Sequence, residues 1–231
     1  MANADYPTQS PPRETIARPE SSQPRDSGTL GLVLCGGAGR RMGGRDKGLL
    51  DIAGRPAVTR PLELLAPICE RCFISANRHQ DVYTALGLGE VISDLRPGFQ
   101  GPLAGMESIF PRLKSVSGTQ ILLLLPCDLP LLSADVPRQL LRELQARPEL
   151  DIVYAATESQ SHYLCAALRV EILGTLTGHL DRDQRAVHRW YAQCASAALL
   201  FDGDLAKGFA NINEVEDLRL QSQVAPDGFA T

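Results

Sequence analysis

The run ILLLLP, residues 121–126, has no polar side chain to offer solvent on either face. It is too short for a typical helix and lacks the alternation of a half-exposed strand, so it reads as a strand in a sheet covered on both sides. The runs LGLVLC, CFIS, EVIS, DIVYAA and LCAAL have similar strand length, and stretches of helical spacing lie between several of them. This βαβ rhythm implies an α/β fold of three layers, a mostly parallel sheet with helices on both faces. One helix is legible in detail. Ser133 can cap it, Val136, Leu140, Leu141 and Leu144 fall on one face, and it ends near Pro148. Asn213 and Glu216 have the spacing of a capping box for a last helix over residues 214–220.

The chain has 231 residues and is 44% hydrophobic, which suits a single domain with a substantial core. Residues 1–28 are rich in Pro, Ser and charge and read as a disordered extension; 29–220 form the domain, and 221–231 a flexible tail. A net charge of −4 disfavours a surface that grips nucleic acid. No apolar run is long enough to span a bilayer, and the N-terminus has no secretory pattern, so the expected location is the cytoplasm, with no membrane partner. Six cysteines scattered over this length read as thiols, with Cys127 and Cys165 in the core. The pair in CERC, Cys69 and Cys72, lacks the second pair that a zinc shell needs.

In an open α/β sheet, ligands bind at the carboxyl ends of the strands. That rule selects the loops CGGAGRRMGGRDK, ANRHQ, SDLRPGFQGPLAG and PCDLP. The first carries glycines whose backbone can approach a phosphate, with Arg40, Arg41, Arg45 and Lys47 to neutralise it. It fits neither familiar phosphate template. A Walker loop needs Gly-Lys-Ser/Thr, and the dinucleotide fingerprint has its third glycine replaced by Met42. In PCDLP, Asp128 follows an apolar strand, where a carboxylate can hold a hard cation such as Mg²⁺ or cap its own turn. Asp94 ends EVISD and can orient a ribose or base, while Gly101 and Gly105 admit either a flat ring or close helix packing. His79, alone in ANRHQ, reads as a surface residue, and Trp190 as core. No Ser/His/Asp arrangement, HExxH or GxSxG is present, and phosphate chemistry by positioning and charge needs none.

The motifs LCGGAGRRMGGRDKGLL, SANRHQ, Ser93-Asp94, GPLAG, PCDLP and FANINEVEDL occur together and in order between Leu30 and Leu218. In them the chain resembles the molybdenum cofactor guanylyltransferases, the MobA family of nucleotidyltransferases. The resemblance implies a Rossmann-like fold of the nucleotide-diphospho-sugar transferase type. It implies transfer of GMP from GTP to Mo-molybdopterin, with release of pyrophosphate and a requirement for Mg²⁺. The family's nucleotide contacts carry over to Leu34, Cys35, Gly36 and Gly37 in the first loop, and to Lys47, Ser75, Asp94 and Asp128. Asp128 is also the implied metal ligand, and Lys47, Arg41 and Asp128 the implied catalytic residues. Molybdoenzyme maturation proteins are the implied protein partners.

The chain departs from the family in places. Cys35 stands where the family has Ala, DLP replaces DTP, and Ser75 replaces an Asn whose amide can address a base edge. SHYLCAALR departs from the family's His-Pro pattern, and DRDQRAVHRWY matches its Arg-rich stretch only loosely. Asn211 and Asn213 match its Asn-x-Asn, with Asn213 a helix cap and Asn211 a site residue. The rival readings are a relative using CTP on molybdopterin or another nucleotide on a sugar phosphate, and a nucleotide-binding module without catalysis.

Overall fold

A computed structural model of the chain describes residues 28–36, 45–98, 100–113 and 120–211. The nine strands are β1 (Thr29–Leu34), β2 (Asp51–Ile52), β3 (Arg55–Pro56), β4 (Arg71–Ser75), β5 (Glu90–Ile92), β6 (Ile121–Pro126), β7 (Ile152–Ala156), β8 (Ser161–Arg169) and β9 (Ser196–Leu200), counted among the described residues. The helices in the same residues are α1 (Thr59–Leu65), α2 (Gln80–Ala85), α3 (Pro102–Glu107), α4 (Phe110–Leu113), α5 (Asp135–Ala146), α6 (Leu176–Asp181), α7 (Val187–Tyr191) and α8 (Gly203–Lys207).

Seven strands form one sheet in the order β5-β4-β1-β6-β8-β7-β9, and β2 and β3 make a separate small hairpin. The pairs β5/β4, β4/β1, β1/β6 and β7/β9 are parallel, whereas β8 runs against both β6 and β7. The mostly parallel sheet is therefore as expected. β8 is the exception, and its reversal brings its first residues to the same edge as the last residues of β6. The hairpin and β9 were not legible, because DI and RP are too short to show a period and SAALL carries small residues.

β1 and β6, at the centre of the sheet, are buried on both sides. On one face Val33, Ile74, Leu123 and Leu125 pack with Leu62 and Leu65 of α1, Tyr83 of α2, and Val136, Leu140 and Leu144 of α5. On the other, Leu30, Leu32, Leu122 and Leu124 pack with Leu103 and Met106 of α3, Leu176 of α6 and Trp190 of α7. Successive leucines of ILLLLP thus serve opposite faces, which is why that run has no polar residue. Truncating one of them, such as Leu124→Ala, costs about 2–5 kcal/mol.

Helix α5 buries the four apolar residues expected of it. It starts at Asp135, and the Ser133 hydroxyl accepts the Asp135 N–H at 3.2 Å from two residues upstream. The expected last helix and its cap Asn213 lie outside the described residues, as do residues 1–27 and 221–231. Trp190, Cys127 and Cys165 are core, and Trp190 Nε1 donates to Thr175 Oγ1 at 2.9 Å. CERC is a packing device: a Cβ on Gly31 of β1 would lie 3.2 Å from the sulfur of Cys69 and the same distance from that of Cys72.

The chain steps outward from β1 to β4 and β5, then crosses back through α3 and α4 to β6 on the other side of β1. The direction reverses between β1 and β6, so the carboxyl ends of those strands open a crevice.

Candidate active site

Lys47 and Asp128 meet in this crevice, with Lys47 Nζ 3.1 Å from Asp128 Oδ2. Asp128 comes from the turn after β6 and Lys47 opens a short 3₁₀ turn, Lys47–Leu49. The side chains keep 32% and 21% of their accessible surface, so both reach a ligand from a desolvated position.

The Lys47 turn is held from behind. Asp46 is buried, and its carboxylate accepts the Gly48 N–H at 3.2 Å, the Tyr83 hydroxyl at 2.6 Å and a contact from His79 Nδ1 at 3.1 Å. Burial, the Cys35 thiol and Asp46 together push the Tyr83 phenol well above its usual range, so it stays a donor. Gly48 is forced by space: a Cβ there would sit 2.3 Å from the Tyr83 hydroxyl and 2.9 Å from Cys35 Sγ. His79 caps α2 from a left-handed conformation with φ 48°. Its side chain stays 37% exposed, in keeping with a surface residue, and also ties α2 to the loop that carries Lys47.

Leu34 and Cys35 are buried, and the Cys35 N–H donates to the Ser75 carbonyl at 3.0 Å. Burial raises the Cys35 thiol well above its ordinary value, with Cys127 adding to the effect, so this cysteine behaves as an apolar filler. Gly36 is exposed at the crevice. Arg41 and Gly37, both expected in the site, lie outside the described residues.

Beyond β4 and β5, Asn77 and Asp94 hold each other. Asn77 Nδ2 donates to Asp94 Oδ2 at 2.7 Å, and the Asp94 N–H donates to Asn77 Oδ1 at 2.9 Å. Ser75 is 1% exposed, and its hydroxyl lies 3.5 Å from Asp94 Oδ1. A Cβ on Gly105 would stand 2.9 Å from that hydroxyl and 2.8 Å from Leu34 Cδ2, so helix packing explains this glycine. Burial raises the Asp94 carboxyl above the usual aspartate value, and the bonds from Asn77 and Ser75 oppose the shift. Asn77 was not expected among the contacts. It lies beyond the end of β4, in the bend that follows, where no strand period marks it. The Asp94 loop is anchored by Arg96, which makes two bonds to the buried Glu107, at 2.7 and 2.9 Å, and one to Asp181.

On the other side of Asp128 lies a cleft of about 310 Å³, whose walls include Pro102, His162, Tyr163, Leu164, His188 and Asn211. Burial lowers the His162 pKa, so its imidazole is neutral at pH 7, and its ring stacks on Phe209 at 4.3 Å. Among the described residues no three His, Cys, Asp or Glu side chains cluster as a metal shell. A single carboxylate is nevertheless the usual protein share for Mg²⁺ that also takes phosphate oxygens.

A cation and a carboxylate at the switch point of a mostly parallel sheet, with a polar nest on one side and an open cleft on the other, make an arrangement suited to phosphate chemistry. Residues 31–197 match the family model of the MobA-like NTP transferase domain, and the chain belongs to that family. It is 32% identical over 192 residues to the molybdenum cofactor guanylyltransferase of Shewanella sediminis, covering 83% of this chain and 94% of that one. With the enzyme of the same name from Polynucleobacter asymbioticus it shares 33% over 194 residues, covering 82% and 94%. Among solved structures it resembles the molybdopterin-guanine dinucleotide biosynthesis protein A of Archaeoglobus fulgidus, with TM-score 0.66, 18% identity, and 84% and 97% of the chains covered. It also resembles a CMP:2-keto-3-deoxy-manno-octonic acid synthetase in complex with CTP, with TM-score 0.61, 12% identity, and 86% and 98% covered. These two likenesses concern the fold.

Proposed function

We propose that this chain transfers GMP from GTP to Mo-molybdopterin, giving the guanine dinucleotide form of the cofactor and pyrophosphate, in a Mg²⁺-dependent reaction in the cytoplasm. The observation that carries the reading is the Lys47–Asp128 pair between two differently built pockets. The names of the relatives at about one-third identity favour guanylyl transfer among the chemistries of this fold.

The nucleotide takes the β1–β4–β5 side. Leu34, Cys35 and Gly36 form its floor, with the buried side chains of Leu34 and Cys35 under the backbone, and Gly37 is a further contact that the family resemblance implies. Asp94 faces the base or ribose, held by Asn77, and Ser75 supports it from below. The amide on this wall is that of Asn77, and it is bonded through both its nitrogen and its oxygen to Asp94. The acceptor takes the β6–β8 side. Its terminal phosphate oxygen attacks the α-phosphorus of GTP in line, the bond from that phosphorus to the bridging oxygen breaks, and pyrophosphate departs. The nucleophile is already an anion, so no general base is required. Lys47 and Arg41 neutralise the charge that builds on the transferring and leaving phosphates. Asp128 is a hard oxygen donor facing the cleft and fits Mg²⁺, which when bound would screen the phosphate oxygens.

A pyrophosphate-release assay with Mo-molybdopterin as acceptor, comparing GTP with CTP under Mg²⁺, tests the reading. Preference for GTP is expected; preference for CTP, or nucleotide binding without turnover in the presence of acceptor, overturns it.

A further inference from the structure

The pairing of β8 with β7 breaks register in the middle. On one side Ile152 faces Leu168, Val153 faces Ala167 and Tyr154 faces Ala166; on the other Ala155 faces His162 and Ala156 faces Ser161. Tyr163, Leu164 and Cys165 are therefore left over on β8, and the pairing of β8 with β6 stops at Ala166. Such a bulge turns side chains out of the regular pleat. Here all three line the cleft beside Asp128.

Tyr163 is the flat group among them, and its ring is fixed from behind. It lies 4.8 Å from the ring of Tyr154 and 5.7 Å from that of Tyr191, nearly edge-on at 79°. The Tyr191 hydroxyl donates to the Tyr163 carbonyl at 2.9 Å, so the bulge backbone is held as well. His188 stands 6.2 Å away, centroid to centroid, on the α7 side of the same cleft. An aromatic ring that is already immobile can stack on a flat ligand with little further loss of side-chain freedom.

We propose that Tyr163, presented by the β8 bulge, is the stacking platform for the pterin part of the acceptor's fused ring system, whose phosphate end then points at the Lys47–Asp128 pair. This rests on the guanylyl-transfer reading above. Gln160, Ser161 and Asn211 supply the donors and acceptors that an amino-oxo pyrimidine edge requires at the rim of the cleft. The ligand class is a fused, hydrogen-bonding heterocycle of the pterin type carrying a phosphate on a short arm.

The test uses the full chain with GTP and Mg²⁺, titrating 6-hydroxymethylpterin and following the pterin's own fluorescence. In parallel it measures GTP affinity and the KM for Mo-molybdopterin. Tyr163→Phe keeps the ring and is expected to bind the pterin within about twofold of the parent, Tyr163→His to be intermediate, and Tyr163→Leu to bind about tenfold more weakly. GTP affinity should not change in the series. Equal pterin binding by Tyr163→Leu and the parent overturns the platform while leaving guanylyl transfer standing. Parallel loss of GTP and pterin binding, or an affinity order that does not follow ring size, makes Tyr163 a packing residue and also overturns it. A parent protein that binds GTP but neither binds the pterin nor modifies Mo-molybdopterin removes the functional reading, and the platform with it.

Discussion

On the β4–β5 side of the crevice, polar side chains are fastened to one another: Asp46 gathers Gly48, Tyr83 and His79, and Asn77 exchanges two hydrogen bonds with Asp94. On the β6–β8 side the wall is a bulge, carrying stacked rings and a neutral histidine. The first construction fixes atoms to within a hydrogen bond's tolerance, as orienting a nucleotide for in-line attack demands. The second offers shape and faces, which tolerate more variety in what is bound. The Lys47–Asp128 pair lies where the two meet.

Breaking that meeting point should have the largest effect. Lys47→Ala is expected to lower kcat about 10²–10³-fold, the usual cost of one donor aimed at developing charge. The melting temperature should hardly move, since the lysine is part-exposed and its ion pair contributes little to stability. Steady-state kinetics beside a thermal melt check both. Asp128→Asn should also cut turnover strongly and raise the Mg²⁺ concentration needed for half-maximal rate; a metal titration at saturating GTP would expose an unchanged requirement, which would contradict the assignment.

The fastened side can be probed by crowding it. Gly48→Ala should destabilise the fold by about 1–3 kcal/mol, because the new methyl strikes the Tyr83 hydroxyl and Cys35. Adding Tyr83→Phe removes one of the struck atoms, so chemical denaturation of the double variant should show less than the sum of the two single losses. The pH dependence of GTP affinity sharpens the same point. Burial raises the Asp94 pKa, so as pH falls the carboxylate is protonated, losing its charge and turning one acceptor oxygen into a donor, at a higher pH than for an ordinary aspartate. GTP binding measured between pH 7 and 4 should weaken from that early point, and Asp94→Asn should bind more weakly at pH 7 with that acid limb absent. The smallest effect is expected toward the start of β1: Cys69→Ser with Cys72→Ser should leave activity unchanged, since both sulfurs pack beside Gly31.

The parallel framework was readable because ILLLLP and its companions are buried on both faces, and burial on both faces leaves its mark on each successive residue. Lys47, Asp94 and Asp128 were readable for a different reason: each stands just beyond an apolar run or within a glycine-rich loop. The supports behind them were not. Tyr83 and His79 reach Asp46 across more than thirty positions of chain, and no local period records such a distance. Nor could the bulge be read, because Tyr163, Leu164 and Cys165 look like ordinary strand residues until their register with β7 is known.

That bulge places a length change inside a strand instead of in a connecting loop. The ladder resumes on both sides of it, so residues could be gained or lost there with the other six strands keeping their places. The wall on the β6–β8 side can therefore change length while the β4–β5 side is left as it is. One sheet then carries two walls that can vary separately.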